Sequence, residues 1–179
     1  EELQGLIGYL PQAFGTYENM SAVDFLDYQA ILKGIKDTKT RDERIEYVLK
    51  SVHMYDRRND KIGAFSGGMK QRIGIAQILL NLPRRLVVDE PTAGLDPAER
   101  HRFLNVLREV GTNCTVIFST HIVEDVKELC NEMAILSSFA LRMVWYSCGG
   151  IRLPDEPASA MLVLCFINRQ RFASHSISS

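Results

Sequence analysis

The sequence predicts an α/β protein in which helices cover a parallel sheet, and three short apolar runs are the basis for this class. Residues 86–88, 115–119 and 133–136 have the length and apolar content of buried strands. Helix-like segments that begin near Asp96 and Ile122 separate these runs. Because strands that alternate with helices form parallel sheets, we expect ligands to bind at the carboxyl ends of these strands.

The first part of the chain predicts one further strand and then a helix. The apolar run LIGYL at 6–10 leads into a Pro-Gln corner that ends at Gln12, so a strand is expected to end there and a loop to begin. Ser21 opens the stretch SAVDFLDYQAILKG, in which Ser21 and Asp24 have the spacing of a capping box and Gly34 provides a stop signal. This stretch is therefore predicted to be a helix.

A second helix is predicted in TRDERIEYVLKSV, because Thr40 and Glu43 repeat the capping-box spacing. One face of this helix is expected to be buried, since its apolar residues recur at the i, i+3, i+4, i+7 spacing. These residues are Ile45, Val48, Leu49 and Val52. No strand is predicted among these helices, which are therefore expected to form a separate subdomain.

Two adjacent glycines stand at the start of the next predicted helix, which extends from Met69 to Asn81. Glycine is a poor helix residue, so its presence in the stretch Ser66, Gly67 and Gly68 needs a reason. The stretch indicates that another group approaches the backbone so closely that no β-carbon fits.

Further along, Asp96 and Glu99 have capping-box spacing, and Pro97 occupies the favoured first helical position. A helix is predicted from there to Gly111. A short helix, IVEDVKELC, is then expected between the last two strands of the predicted sheet.

The composition excludes several classes of protein. The 179 residues are 46% hydrophobic with a formal charge of −1, which fits one globular domain or a large part of one. Basic residues number 21 against 22 acidic ones and are scattered, which argues against nucleic acid as the main ligand. The longest apolar run, 160–167, is far shorter than the ~20 residues needed to cross a bilayer. Any link to a membrane is therefore expected to go through a partner.

The cysteines show no CxxC or Cys/His spacing, which argues against a zinc site and a disulfide framework and favours a reduced, cytosolic setting. They are Cys114, Cys130, Cys148 and Cys165.

Polar residues follow several of the predicted strands. Asp89 and Glu90 come directly after one strand, and two neighbouring carboxylates fit a site in which one holds Mg²⁺ and the other polarises a water. His121 ends the next strand at the same predicted rim. Gln12 offers a carbonyl oxygen to a metal or a water. Each has a structural alternative, since a DEP turn could merely cap a strand, and a single His or Gln in a loop commonly faces solvent.

Four motifs in a fixed order then point to a known family: PQ at 11–12, FSGGM at 65–69, LVVDEPTAGLD at 86–96 and STH at 119–121. This order resembles the ATP-binding subunit of ABC transporters, in an exporter-like form, over residues from about 6 to 136. The SGG signature followed by VVDEPTAGLD is the most specific part of the match. The resemblance implies the core of a P-loop NTPase with an additional helical subdomain.

The resemblance also implies a role for each candidate residue. Asp89 is similar to the Mg²⁺ ligand, and Glu90 to the general base. Gln12 is similar to the glutamine that senses Mg²⁺ and communicates with the membrane domain, and His121 to the switch histidine that contacts the γ-phosphate and orders the attacking water. The remaining implied residues form the dimer face: Ser66, Gly67 and Gly68 for the partner's γ-phosphate, and Asp96 for contact across the dimer.

Parts of this chain depart from the family pattern. The 179 residues contain no G-x-x-x-x-G-K-[ST] phosphate loop, and the nearest match, GAFSGGMK, places Met69 at the lysine position. That loop precedes the Gln12 segment in the family, so the resemblance implies a chain that is cut at its N-terminus and inactive alone. Phe65 and Met69 replace residues of the commonest LSGGQ form. Beyond residue 136, SSFALRMVWYSCGG stands where the family has a glycine-containing hairpin of the NKGK kind.

The resemblance therefore predicts a partial ABC ATPase domain at 1–136. It comprises a helical subdomain at about 13–80, which includes the signature helix, and the second half of the catalytic core at 84–136. Residues 137–179 are expected to be a divergent tail, frameshifted or disordered, that ends in QRFASHSISS.

The implied function is hydrolysis of ATP, with Mg²⁺, coupled to transport. The implied partners are a second ATP-binding subunit, identical or different, and a membrane permease that holds the protein at the cytoplasmic face of the membrane. One alternative is a non-hydrolysing half-site that lends its signature to a complete partner. Another is an ABC ATPase of DNA repair, which the lack of sustained heptads between Gln12 and Ser66 argues against.

Overall fold

The structure is a computed structural model that describes residues 6–12, 15, 17–120, 122–129, 132–137, 146–147 and 161–167. Its strands are β1 (Ile7–Leu10), β2 (Arg85–Asp89), β3 (Thr115–Thr120), β4 (Glu132–Ser137), β5 (Tyr146–Ser147) and β6 (Met161–Ile167). Its α-helices are α1 (Ala22–Leu32), α2 (Thr38–Ser51), α3 (Gly67–Leu79), α4 (Pro97–Val110) and α5 (Val123–Leu129). Short 3-10 helices lie at Tyr55–Arg57 and Ile62–Ala64.

The described strands form one sheet in the order β1-β2-β3-β6-β4-β5. The predicted parallel pairing is confirmed for β1 with β2 and for β2 with β3. β6 lies antiparallel between β3 and β4, and β5 pairs antiparallel with β4. The sheet is therefore mixed. Both β5 and β6 come from residues 137–179, for which the sequence pattern predicted no strand.

The predicted ends of α1 are confirmed. Ser21 is its N-cap, because the Ser21 Oγ accepts from the Asp24 N–H at 3.2 Å. Gly34 has φ +84°, a left-handed conformation that suits glycine. The Gly34 N–H donates to Ile31 O and the Ile35 N–H to Ala30 O, which is the paired hydrogen bonding of a Schellman motif.

The predicted start of α2 was wrong. Asp37, not Thr40, is the N-cap, and its carboxylate accepts from the Thr40 N–H at 2.8 Å. Hydrogen bonding with Thr40 lowers the pKa of the Asp37 carboxyl. Aspartate caps helices better than threonine, so the helix begins at the earlier residue. The predicted buried face of α2 is confirmed, since its four apolar residues are all at most 4% exposed.

Helix α3 joins the helical part of the chain to the sheet. It packs against α1, α2, α4 and β1. It begins at Gly67, two residues before the predicted start at Met69, because Ser66 is its N-cap. Ile73, Ile75 and Ala76 are fully buried in the core. The position of the Ser-Gly-Gly backbone is therefore fixed by a helix that is buried along most of its length.

Among the described residues, no helix has the length and apolar content that crossing a bilayer requires. Cys114 is a free cysteine, and burial raises its pKa to about 11, so its thiol stays protonated at neutral pH. Cys130, Cys148 and the stretch QRFASHSISS lie outside the described residues.

Candidate functional site

The predicted carboxylates lie at one edge of the sheet, where β1 and β2 end. β1 ends at Leu10 and β2 at Asp89, and the parallel register pairs Leu10 with Val88. Gln12 and Glu90 therefore emerge side by side. The Gln12 Nε2 donates to the Glu90 Oε2 at 3.3 Å, although the two residues are 78 positions apart in the chain. The sequence predicted that both residues follow the ends of strands, and this contact shows that their side chains meet.

Ser119 on β3 holds the pair of carboxylate residues in place. Its Oγ donates to the Asp89 Oδ1 at 2.5 Å and accepts from the Glu90 N–H at 3.0 Å. The sequence analysis missed this residue, although it stands in the STH motif and pairs in register with Asp89. The sequence did contain a signal for Ser119, because it is a polar residue within an otherwise apolar strand.

Glu90 has a backbone conformation that is rare for a residue with a side chain, since its φ is +41°. The chain turns there between β2 and the loop that follows. Such conformations persist where the surrounding structure enforces them, and they cluster at functional sites. The Ser119 contact with the Glu90 N–H is part of that enforcement.

The loop that carries Gln12 is also tied to α3. The Gln71 Nε2 donates to the Gln12 carbonyl oxygen at 3.2 Å. The sequence analysis did not single out Gln71, because the contact spans 59 positions and has no local pattern.

These residues fit Mg²⁺ bound together with a phosphate ligand. Magnesium is usually bound through one or two carboxylates, with waters and phosphate oxygens as the other ligands. Asp89 has a second carboxylate oxygen beside the one that Ser119 contacts, and Gln12 has its amide oxygen. Within the described part of the chain, no group of three or more His, Cys, Asp or Glu residues could hold a metal alone.

The Ser-Gly-Gly stretch forms the N-terminus of α3, at which Ser66 and Gly67 are exposed. The Ser66 Oγ accepts from the Met69 N–H at 3.2 Å. Phe65 is only 6% exposed and anchors the stretch in the core. The unpaired N–H groups and the positive dipole end of a 13-residue helix favour an anion at this place.

The two glycines differ in what surrounds them. In the described part of the chain, the one atom outside the α3 backbone that a β-carbon on Gly67 would meet is the Leu95 Cδ2, at an ordinary 3.4 Å. A β-carbon on Gly68 would lie 2.4 Å from the Glu99 Oε2. A ligand can therefore approach Gly67, whereas the space beside Gly68 is already filled by the Glu99 side chain.

Asp96 is the N-cap of α4, as predicted, and its Oδ1 accepts from the N–H groups of Ala98 and Glu99 at 3.0 Å each. Asp96 is exposed. The predicted reciprocal half of this capping box is wrong, because the Glu99 carboxylate contacts Arg72 and Arg102 instead. His121 lies outside the described residues.

A buried aspartate that the sequence analysis missed connects the segments around the site. Asp125 on α5 is fully buried and accepts from the Arg100 Nε at 2.6 Å and the Thr92 Oγ1 at 2.5 Å. The Thr120 Oγ1 also donates to it, at 3.4 Å. Asp125 thus joins the turn after Glu90, helix α4 and the end of β3.

We expect Asp125→Ala to destabilise the protein by about 2–4 kcal/mol, because it leaves Arg100 and the buried hydroxyl of Thr92 without their acceptor. Chemical denaturation of the two proteins would measure this difference. Glu124→Ala is the matched control, since Glu124 is adjacent and lies 3.9 Å from Arg100 but is 75% exposed. The control should change stability by no more than about 0.5 kcal/mol. Equal effects of the two substitutions would contradict the structural role of Asp125.

Comparison with known proteins gives a consistent result. Residues 1–93 match the family model described as ABC transporter. The chain is 40% identical over 133 residues to the uncharacterized ABC transporter ATP-binding protein YxlF of Bacillus subtilis (strain 168), covering 74% of this chain and 45% of that relative. It is 36% identical over 131 residues to the linearmycin resistance ATP-binding protein LnrL of the same organism, covering 73% of this chain and 42% of LnrL.

Among solved structures, cbiO1 of Clostridium perfringens, part of the ABC transporter complex cbiONQ, matches with a TM-score of 0.64 and 26% identity. That match covers 73% of this chain and 53% of cbiO1. The chain thus spans less than half the length of the two curated relatives and about half of the structural one.

Proposed function

The chain belongs to the ABC transporter family of ATP-binding proteins, and we propose that it is part of a subunit that hydrolyses ATP to drive transport through a membrane partner. The observation that carries this proposal is the group formed by Gln12, Asp89 and Glu90 at the carboxyl edge of the parallel strands, with 3.3 Å between the Gln12 amide and the Glu90 carboxylate. Ligands of open parallel sheets bind at this edge.

In the proposed reaction, Glu90 orients a water molecule and accepts its proton as the water attacks the γ-phosphorus of ATP. The bond from the γ-phosphorus to the β–γ bridging oxygen breaks, and ADP leaves with that oxygen. Asp89 and the Gln12 amide oxygen would hold Mg²⁺, which supplies charge neutralisation at the phosphates. Ser119 keeps the Asp89 carboxylate and the Glu90 backbone at a fixed separation. His121 is proposed to contact the γ-phosphate and to help order the water.

We further propose that the N-terminus of α3 contacts ATP held by a second subunit. The exposed Ser66 hydroxyl and the N–H groups of Gly67 and Gly68 suit the γ-phosphate, because they combine hydrogen-bond donors with the positive end of the helix. Asp96, exposed at the start of α4, would make contact across the same dimer. The second subunit is a copy of this protein or a relative.

The membrane partner is proposed to contact α1 and the loop before it. Large apolar side chains are exposed there, and the Tyr17 and Tyr28 rings meet edge to face with centroids 5.9 Å apart. Tyr17 and Tyr28 are 54% and 41% exposed, and Ile31 and Leu32 on the same helix are 50% and 63% exposed. Tyr17 stands five positions after Gln12 in the chain. We propose that the protein lies at the cytoplasmic face of a membrane, held by its permease.

We expect the 179-residue chain alone to bind MgATP more weakly than micromolar and to release no phosphate. It has no G-x-x-x-x-G-K-[ST] segment, whose amides and lysine supply most phosphate contacts in this class of site. Calorimetric titration and a phosphate-release assay would measure both quantities. An intact subunit, meaning a polypeptide that contains these residues together with a phosphate-loop segment, should bind MgATP and hydrolyse it. Failure of the intact subunit to hydrolyse ATP would contradict the proposed function.

The lack of a phosphate-loop segment in these residues also favours a second candidate, a half-site that does not hydrolyse ATP and only lends its signature to a complete partner. In that case Glu90 would not affect turnover, whereas Gly67 would. The two substitutions described in the Discussion therefore separate the two functions.

A further inference from the structure

A buried ion cluster lies directly behind the second glycine of the Ser-Gly-Gly stretch. The Glu99 Oε2 is 3.3 Å from the Arg72 Nη2, and the Glu99 Oε1 is 2.7 Å from the Arg102 Nη1. Arg72 and Glu99 are only 8% and 9% exposed. Burial lowers the pKa of the Arg72 guanidinium, and the Glu99 carboxylate opposes that shift. The Glu99 carboxylate therefore compensates the burial of the Arg72 charge inside the protein.

The cluster contacts the backbone of Gly68 from both sides. The Arg72 Nε donates to the Gly68 carbonyl oxygen at 3.4 Å. On the other side, a β-carbon on Gly68 would lie 2.4 Å from the Glu99 Oε2 and 3.0 Å from the Glu99 Cβ, which no real β-carbon tolerates without movement. A side chain at position 68 would therefore require the Glu99 side chain to move.

Glu99 is held in turn by the loop that precedes α4. Its N–H donates to the Asp96 Oδ1 at 3.0 Å, so its backbone is fixed by Asp96 while its side chain is fixed at Gly68. The Glu99 backbone is therefore bonded to Asp96 of the loop 93–96, while its side chain fills the space beside Gly68. The Leu95 Cδ2 of the same loop lies 3.4 Å from where a β-carbon of Gly67 would stand.

We propose that Glu99 is a positioning residue that couples the loop 93–96 to the N–H groups of residues 66–68 within one subunit. This rests on the proposed function, because both segments are there assigned to contacts with the second subunit and its ATP. A displacement of either segment is transmitted to the other through the Glu99 carboxylate. The loop 93–96 and the stretch 66–68 then contact the second subunit as one unit.

The first test needs no nucleotide and uses the 179-residue chain. Gly68→Ala should lower the melting temperature by about 5 °C, because its methyl group displaces Glu99 from Arg72. Glu99→Ala should also lower it, but the double variant should melt no lower than the worse single variant, since the clash is gone. Additive effects of the two substitutions would show that the Gly68–Glu99 contact does not exist.

The second test asks whether the backbone of residues 66–68 responds to a change at Glu99. Glu99→Gln removes the charge but keeps the size of the side chain and an amide oxygen that can still accept from the Arg72 guanidinium, so the fold should persist. In ¹H–¹⁵N spectra, the amide resonances of residues 66–68 should shift together with those of 93–96. Glu46→Gln is the matched control, because Glu46 is exposed and its ion-pair partner Lys50, at 2.5 Å, is exposed as well. Shifts confined to residues next to Glu99 on α4 would overturn the coupling.

The third test separates positioning from stability in the intact subunit. Glu99→Gln should weaken MgATP-dependent association of two subunits by about tenfold, while the affinity of the single subunit for MgATP stays unchanged. Unchanged association would overturn the proposal. If the wild-type subunit shows no association with MgATP at all, the proposed function fails and this role of Glu99 fails with it. The melting and spectroscopic results would still decide separately whether the contact and the coupling exist.

Discussion

Glu90→Gln is expected to lower the turnover number of ATP hydrolysis in an intact subunit by about 100-fold or more, because it removes the group that accepts the proton from water. Glutamine has the size of glutamate, and its amide oxygen can still accept from the Gln12 Nε2 that now lies 3.3 Å from Glu90. Binding of MgATP should therefore be retained. Phosphate release as a function of ATP concentration would give the turnover number and KM separately.

The control for this experiment is Glu43→Gln, which changes an exposed carboxylate on α2, an element that carries none of the proposed site residues. It should leave both kinetic constants unchanged. If Glu90→Gln reduced turnover by less than about threefold, Glu90 would not be the base. The half-site alternative would then be favoured.

Gly67→Asp is expected to abolish MgATP-dependent association of two intact subunits while leaving each subunit folded. The substitution places a negative charge where the partner's γ-phosphate is proposed to bind. The fold should persist, because a β-carbon on Gly67 would meet the Leu95 Cδ2 at an ordinary contact distance of 3.4 Å. Aspartate is also favourable in the first turn of a helix. Thermal unfolding and association, measured on the same preparations, would test both statements.

Gly67→Ala separates the effect of the β-carbon from that of the charge. It should weaken association less than Gly67→Asp does, because it blocks close approach without repelling the phosphate. If the glycines served only to let the chain turn, Gly67→Asp would be tolerated or even stabilising. Equal association of the wild type and both variants would support that structural explanation.

The elements that the sequence predicted well are those with local causes. Ser21 and Gly34 delimit α1 because a serine cap and a left-handed glycine act within one helical turn. The start of α2 was harder to predict, because Asp37 and Thr40 can both act as N-caps and Asp37 is the one that does. The capping-box spacing also predicted the wrong partner for the Glu99 carboxylate. That spacing considers only nearby residues, whereas the carboxylate contacts Arg72, 27 positions away in the chain.

The site could be predicted in part, because parallel strands bring their carboxyl ends to one edge whatever the rest of the chain does. Gln12 and Glu90 each follow a strand end, as predicted, and they meet at this edge. Ser119 and Asp125 were missed because their partners come from other elements of the sheet and the helices around it. The central position of β6 was missed for a similar reason: an apolar run does not show which strands it will pair with.

The most direct test of the proposed function is the mass of the intact Glu90→Gln subunit in solution, with and without MgATP, measured by analytical ultracentrifugation. Loss of the base should trap ATP between two subunits, so we expect a dimer with MgATP and a monomer without it. Adding Gly67→Asp to this variant should return it to a monomer in both conditions. A dimer that persists in the double variant, or that forms without nucleotide, would contradict the assignment of the Ser-Gly-Gly stretch to the partner's ATP.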